Sequence, residues 1–329
     1  MTRVTRPLVV VVGDIVTDVL AVHDGPIAFG SDTSAGIRFT GGGAAANAAA
    51  WLASLGVAVD LAGVVGTDVA GRARLAELDA AGVGCRHVRR SGDAPTGTVI
   101  VLARGEERSM LSDRGANALL TPSDVDAALD SDVAHVHLSG YTLLDERTAP
   151  AGRHALAVAR TRSITTSVDA ASAAPLRHLG GRTFLDWITG ADLLLANLDE
   201  ARALLDPLDH VGAASPDLAG VAPDDARGPS AGDLAHRLAH GLAHRLARTV
   251  GAAVVKLGPS GAVWASSDGR TVAVPAVTVA ATVDPTGAGD AFAAGLLASW
   301  LADRDPANAL AAAARLGALA VTTLGARPR

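Results

Sequence analysis

Short apolar runs rich in β-branched residues recur along the chain, separated by longer Ala- and Leu-rich stretches of helical character. The runs at 8–12, 57–65, 133–138, 164–168, 193–196 and 252–257 are mostly apolar or β-branched. That is the pattern of strands buried on both faces of a parallel sheet. The stretches at 44–55, 70–80, 149–160 and 199–205 predict helices between them. The repeated strand–helix order predicts an α/β fold, a three-layer αβα sandwich with a mostly parallel central sheet. Two regions break this rhythm. Runs at 98–103 and 108–111 flank the turn Arg104-Gly105-Glu106-Glu107 and predict a hairpin; another short strand, 37–40, precedes a glycine run. Together they predict a small β-sheet lid built from segments about 14–40 and 95–114, with Gly41, Gly42, Thr96 and Gly97 as hinge positions. Residues 206–232, rich in Pro, Gly, Asp and Ala without periodicity, predict a flexible insertion.

Composition narrows the class. The chain has 329 residues, 49% hydrophobic and 19% charged, enough apolar material for a sizeable core and far from a disordered composition. A formal charge of −6 and 3% aromatic residues give no footprint for nucleic acid. Cys85 is the sole cysteine, so an intrachain disulfide or a cysteine metal site is excluded and a cytoplasmic location is expected. No apolar stretch predicts a membrane span. His236, His240 and His244 recur every four residues and share one helix face. With no carboxylate beside them they read as the wet flank of an amphipathic helix. His135 and His137 alternate along a strand and read as packed beside the sheet.

The strongest chemical signal is Asp284-Pro285-Thr286-Gly287-Ala288-Gly289-Asp290, running into an apolar helix. A glycine turn opening a helix exposes backbone N–H groups at the positive end of the helix dipole and makes an anion cradle. A carboxylate there repels a phosphate, unless Asp290 takes a proton from an attacking hydroxyl while the amides stabilise the transferred phosphoryl group. A bare helix N-cap is the simpler reading of Asp290. Asn197 and Glu200, at i and i+3, share one face where a helix begins, and also suit a capping pair.

This string is similar to one signature of the ribokinase-like, or PfkB, carbohydrate kinases, and Gly42-Gly43-Ala44-Ala45-Ala46-Asn47-Ala48 resembles the other. The resemblance runs through Gly13-Asp14-Ile15-Val16-Thr17-Asp18, Gly66-Thr67-Asp68, Arg114-Gly115-Ala116-Asn117, Asn197-Leu198-Asp199-Glu200 and Lys256-Leu257-Gly258-Pro259-Ser260-Gly261. It implies a single kinase domain over 1–329 that uses ATP and Mg2+, and a homodimer paired through the lid. By the resemblance, Asp290 is the general base, with Gly287, Ala288 and Gly289 forming the anion hole. Asp18, Gly42, Gly43 and Asn47 would hold the substrate. Asn197, Lys256, Gly258 and Gly261 would serve the nucleotide. Glu200 would organise Mg2+ through water, and Asp284 and Thr286 a monovalent cation such as K+.

Departures bear on the substrate. Val16 replaces an asparagine and Ser139 a glutamate found in ribokinases proper, which removes partners for ribose hydroxyls. Arg108 and Arg114 can face a substrate carboxylate or phosphate, as in 2-keto-3-deoxygluconate or sugar-phosphate kinases. Only Phe29 and Phe39 lie near the lid to stack on a base, which disfavours a nucleoside kinase, the alternative on this fold. A dinucleotide oxidoreductase needs Gly-x-Gly-x-x-Gly after the first strand, and Gly13-Asp14-Ile15 fails that test. A non-catalytic binding protein should have lost the base or the anion hole, and neither is lost.

Overall fold

The computed structural model describes residues 7–104, 107–130, 132–205 and 231–328. In chain order the strands are β1 (Leu8–Val12), β2 (Val16–Val22), β3 (Gly36–Gly42), β4 (Ala58–Gly66), β5 (Gly84–Ser91), β6 (Gly97–Arg104) and β7 (Glu107–Asp113). They continue as β8 (Val133–Ser139), β9 (Thr165–Asp169), β10 (Leu193–Asn197), β11 (Ala252–Lys256), β12 (Ala262–Ser266) and β13 (Thr271–Val274). The helices are α1 (Ala44–Ser54), α2 (Val69–Ala80), α3 (Pro122–Ala128), α4 (Ala149–Thr161) and α5 (Ala173–Leu179). After them come α6 (Gly181–Ile188), α7 (Leu198–Leu205), α8 (Ala231–Leu246), α9 (Ala288–Asp303) and α10 (Pro306–Ala320).

Nine strands form the main sheet in the order β13-β12-β11-β10-β9-β8-β1-β4-β5. All neighbours are parallel except the β11–β12 and β12–β13 pairs. β1 shows why its sequence reads as an unbroken apolar run. Val9 and Val11 pack with α1, α9 and α10 on one face, while Val10 and Val12 pack with α3 and α4 on the other. Each such side chain contributes roughly 1.5–3 kcal/mol of burial. The predicted three-layer sandwich is therefore the observed one. The two edge strands escape the apolar-run rule. β5 reads Cys-Arg-His-Val-Arg-Arg because it pairs on one side only and leaves Arg86 and Arg90 exposed. β13 alternates exposed and half-buried positions at the other edge, in an antiparallel hairpin with β12, itself buried on both faces.

A second sheet, order β3-β2-β6-β7, stands apart from the first. β2–β3 and β6–β7 are antiparallel and β2–β6 parallel, so the predicted hairpin is present and β2 is a strand that the motif reading passed over. Thr96, expected as a hinge, is clamped instead. Its N–H donates to Asp68 Oδ2 (2.8 Å) and its hydroxyl to Asp68 Oδ1 (2.6 Å), while Asp68 also caps α2 through Gly71 N. The predicted insertion 206–232 lies outside the described residues except for its last two positions, which already belong to α8. The α9 helix is apolar all round because it is sandwiched between α1 and α10.

Candidate active site

The parallel strands end on one rim, and the chemistry is set there. β1 leads into Asp14, β8 ends at Ser139, β9 at Asp169, β10 at Asn197 and β11 at Lys256. Between β1 and β8 the strand order reverses, the place where open α/β sheets bind ligands. Ser139 Oγ bridges that gap by donating to Asp14 Oδ1 (2.9 Å), and Asp14 Oδ2 accepts from Ala44 N at the start of α1 (2.9 Å).

Asp290 lies in the first turn of α9, whose N-cap is Gly287 with φ 76°. A side chain at Gly287 would strike Ala326, so both the left-handed backbone and the close approach call for glycine. Asp290 Oδ2 accepts from Asn47 Nδ2 at 2.9 Å, across 243 positions of chain. Burial pushes the Asp290 carboxyl up to about 8; the Asn47 bond opposes the rise and Asp169 adds to it. A carboxyl poised there is mostly protonated at pH 7, with about one molecule in ten ionised, and its ionised form is strongly basic toward a hydroxyl proton.

Asn47 thus meets Asp290 directly, on the first turns of α1. Its Oδ1 accepts from Arg327 Nε (3.1 Å), and Arg327 Nη2 donates to Gly42 O (2.8 Å). Asp18, opposite Thr40 in the β2–β3 ladder, faces the same place. A side chain at Gly42 would collide with its carboxylate, and one at Gly43 (φ 98°) with the Asp14 carbonyl. The glycine pair thus lets β3, the start of α1 and the Asp18 carboxylate converge. Burial raises Asp18 to about 6, against the pull of Arg327. Arg327 itself falls to about 10 through burial, opposed by Glu77.

On the far side of Asp290, Lys256 Nζ donates to Asp169 Oδ2 (2.9 Å). Burial alone would lower this lysine, but Asp169 and Glu200 hold it above its usual value. A cavity of about 530 Å³ opens beside it, lined by Lys256, Gly258, Gly261, Ala288, Gly289 and Phe292 and otherwise mostly apolar. Asn197 and Glu200 lie outside that lining. They form a reciprocal box, with Asn197 N and Nδ2 donating to the two Glu200 oxygens (both 2.7 Å) and Glu200 N to Asn197 Oδ1 (2.9 Å). Burial raises the Glu200 carboxyl, partly offset by Lys256. A single carboxylate fixed this way suits Mg2+ held mainly by water and phosphate oxygens.

Other predicted residues are placed differently. Asp284 is a brace, accepting from Thr286 N (3.0 Å) and Gly325 N (3.1 Å). Arg114 donates to Tyr141 O (3.0 Å), with its Nε 3.4 Å from Asp145, and makes no direct bond to Asp18 or Asn47. The Arg108 side chain is outside the described part. Phe29 and Phe39 are exposed and offer no stacking wall. His236 contacts Ser260 O (2.7 Å) and His244 Nε2 lies in hydrogen-bond contact with Thr271 Oγ1 (2.8 Å), so these two are engaged apart from one another. His135 and His137 both bond Ser167 Oγ in the core, where burial keeps them neutral.

Three participants were missed. Asp14 stands two residues after β1 and Asp169 is the last residue of β9, so each sits at the carboxyl end of a main-sheet strand, a signal available in the sequence. Arg327 had none, since its partners are 280 and 285 positions away.

Comparison with known proteins agrees with this geometry. The model of the pfkB family carbohydrate kinases matches residues 6–329. The chain is 34% identical over 295 residues to an ATP-dependent ribose-1-phosphate kinase of Halopiger xanaduensis, covering 88% of this chain and 83% of the relative. It is 30% identical over 270 residues to a 2-dehydro-3-deoxygluconokinase of Thermoproteus tenax, covering 79% and 73%. The crystal structure of adenosine kinase from Sinorhizobium meliloti superposes with a TM-score of 0.80 at 23% identity, covering 98% of this chain and 96% of that one. This chain therefore belongs to the pfkB family of carbohydrate kinases, phosphotransferases that act on an alcohol group.

Proposed function

We propose that the chain transfers the γ-phosphoryl group of ATP to a hydroxyl of an anionic sugar derivative, with Asp290 as general base. The observation that carries this reading is the pairing, in one turn, of a buried carboxylate raised to about 8 with the N–H groups that open α9. The carboxylate takes the hydroxyl proton as the nucleophile attacks. The amides of Gly287, Ala288, Gly289 and Asp290 stabilise charge on the transferred group. Lys256, facing Gly289 from the nucleotide cavity, neutralises phosphate charge, and Gly258 and Gly261 floor that cavity. Mg2+ is held near Glu200 through water. A K+ dependence at the Asp284–Thr286 turn is the corollary to assay.

The substrate class is argued from two sides. The relatives are named for ribose 1-phosphate and for a sugar acid, both carrying an anion. Arg327 stands beside Asn47 and Gly42, and Arg114 beside Tyr141, as cations near the substrate end. Asp18 accepts sugar hydroxyl donors. The small sheet acts as a lid that keeps water from the phosphoryl group. Ile37, Phe39, Ile100 and Leu111, which the ladder register places on one face of the sheet, are 39–69% exposed, an apolar face that supports pairing of two lids in a homodimer. The single cysteine supports a cytoplasmic location.

The test is ADP release from ATP against ribose 1-phosphate, 2-keto-3-deoxygluconate, ribose, fructose, adenosine, uridine and pseudouridine. Preference for the first two is expected. Preference for a nucleoside would overturn the substrate class, and no turnover with any of them would favour a binding protein.

A further inference from the structure

Residues 321–328, after α10, form a strap over the site, each anchor reaching a different element. Leu324 packs against the lid-sheet cluster of Leu20, Val101 and Ala103. Gly325 N donates to Asp284 Oδ2 (3.1 Å). Ala326 O accepts from Trp51 Nε1 on α1 (2.9 Å), and Ala326 abuts Gly287. Arg327, largely buried, then reaches between lid and base.

Its guanidinium meets three acceptors. Nε donates to Asn47 Oδ1 (3.1 Å), Nη2 to Gly42 O at the end of β3 (2.8 Å), and Nη1 lies 3.5 Å from Glu77 Oε2. Glu77 also pairs with Arg74, so it is shared between two cations. Asn47 has one amide with two chemically opposite ends. Presented nitrogen first, it donates to an ionised Asp290; presented oxygen first, it opposes ionisation. Arg327 can only donate, so an oxygen of Asn47 must face it and the nitrogen is left to face Asp290.

We propose that Arg327 is a positioning residue for the base, orienting the Asn47 amide toward Asp290 while its second N–H group ties the lid strand at Gly42. The proposal rests on the assignment of Asp290 as base. The planar fork suits the task better than a lysine, because two acceptors on different elements are held at once. The charged and titratable groups around Asp290 are Asp14 after β1, Asp169 on β9, Lys256 on β11, Tyr141 after β8 and Arg327. Those around Arg327 are Asp18 on β2, Arg74 and Glu77 on α2, Cys85 on β5, and Asp290.

The experiment is a carbon-13 NMR titration of aspartate carboxyl groups in the full chain without ligand, with Asp290 assigned by its loss in Asp290→Asn. Wild type is compared with Arg327→Gln, Arg327→Lys, Asn47→Ala and the Arg327→Gln/Asn47→Ala double variant, each checked for folding by thermal melting. Arg327→Gln and Asn47→Ala should each move the Asp290 midpoint up by about one pH unit, a tenfold change in proton affinity. The double variant should move it no further than either single change, and Arg327→Lys should restore the midpoint only in part. Additive shifts, full restoration by lysine, or no shift in Arg327→Gln would overturn the proposal, making Arg327 a remote charge or a structural strap. Should Arg327→Gln fail to fold, the lysine variant decides alone, by partial against full restoration. An Asp290→Asn enzyme with wild-type turnover would remove the base assignment beneath it, a separate failure read by a separate assay.

Discussion

Two helices of this protein begin with a buried carboxylate in the first turn, Glu200 on α7 and Asp290 on α9, and burial raises the proton affinity of both. Their partners differ. Both oxygens of Glu200 are taken by Asn197, three residues away, in a reciprocal box. Among the described residues, Asp290 has one side-chain hydrogen bond, from Asn47 on a different helix, and no local cap. A locally capped carboxylate is fixed by its own chain and offers a rigid charge. A carboxylate anchored through one oxygen to a distant element keeps the other for a proton. The same residue class at the same place in a helix therefore suits an organiser of cations in one case and a base in the other.

If that contrast is right, the largest effect comes from Asp290→Asn. The shape and the Asn47 contact are near neutral in size, but basicity is gone, so turnover should fall by ~10²–10⁴ with nucleotide affinity retained. Turnover within a few-fold of wild type would erase the distinction. Next comes Glu200→Ala, which leaves Asn197 without its partner. The Mg2+ concentration for half-maximal rate should rise roughly tenfold, with a smaller loss at saturating Mg2+. Equal losses at all Mg2+ concentrations would make Glu200 a cap and nothing more.

The smallest effect is on stability. Asp290 binds its proton more tightly folded, at about 8 against an ordinary 3.8. Its contribution is fully present below about pH 4 and is lost as pH rises to about 8. Asp290→Asn removes that loss, so the variant should melt higher than wild type at pH 8, and the difference should shrink toward pH 4. Thermal melts across that range check it, and a gap that widened as the pH fell would mean the carboxyl is not raised.

What could be read in the sequence was what repeats or stays local. Most main-sheet strands buried on both faces are apolar runs, and the Gly287–Asp290 turn is four consecutive residues. β5 and β13 stayed hidden because an edge strand lacks the two-sided burial that writes an unbroken run. β12 is buried on both faces, and its short Ala-Val-Trp-Ala run was legible. The role of Asn47 was partly legible, since its place at the start of α1 followed from the glycine run. Its bond to Asp290 was not, because nothing in either segment encodes which helix packs beside which. Arg327 shows the same limit more strongly. Its contacts to Gly42, Asn47 and Glu77 exist only once α10 has carried the strap back across the site.

The account stands on an ionised Asp290 accepting the substrate proton. The deciding measurement is the pH dependence of kcat/KM for ATP-dependent phosphorylation of whichever panel sugar turns over fastest, from pH 5 to 9.5. A base with a free-enzyme value of about 8 should give a rate that climbs about tenfold per pH unit below that value and levels above it. A profile flat between pH 5 and 9, or the same rising limb retained in Asp290→Asn, would contradict it.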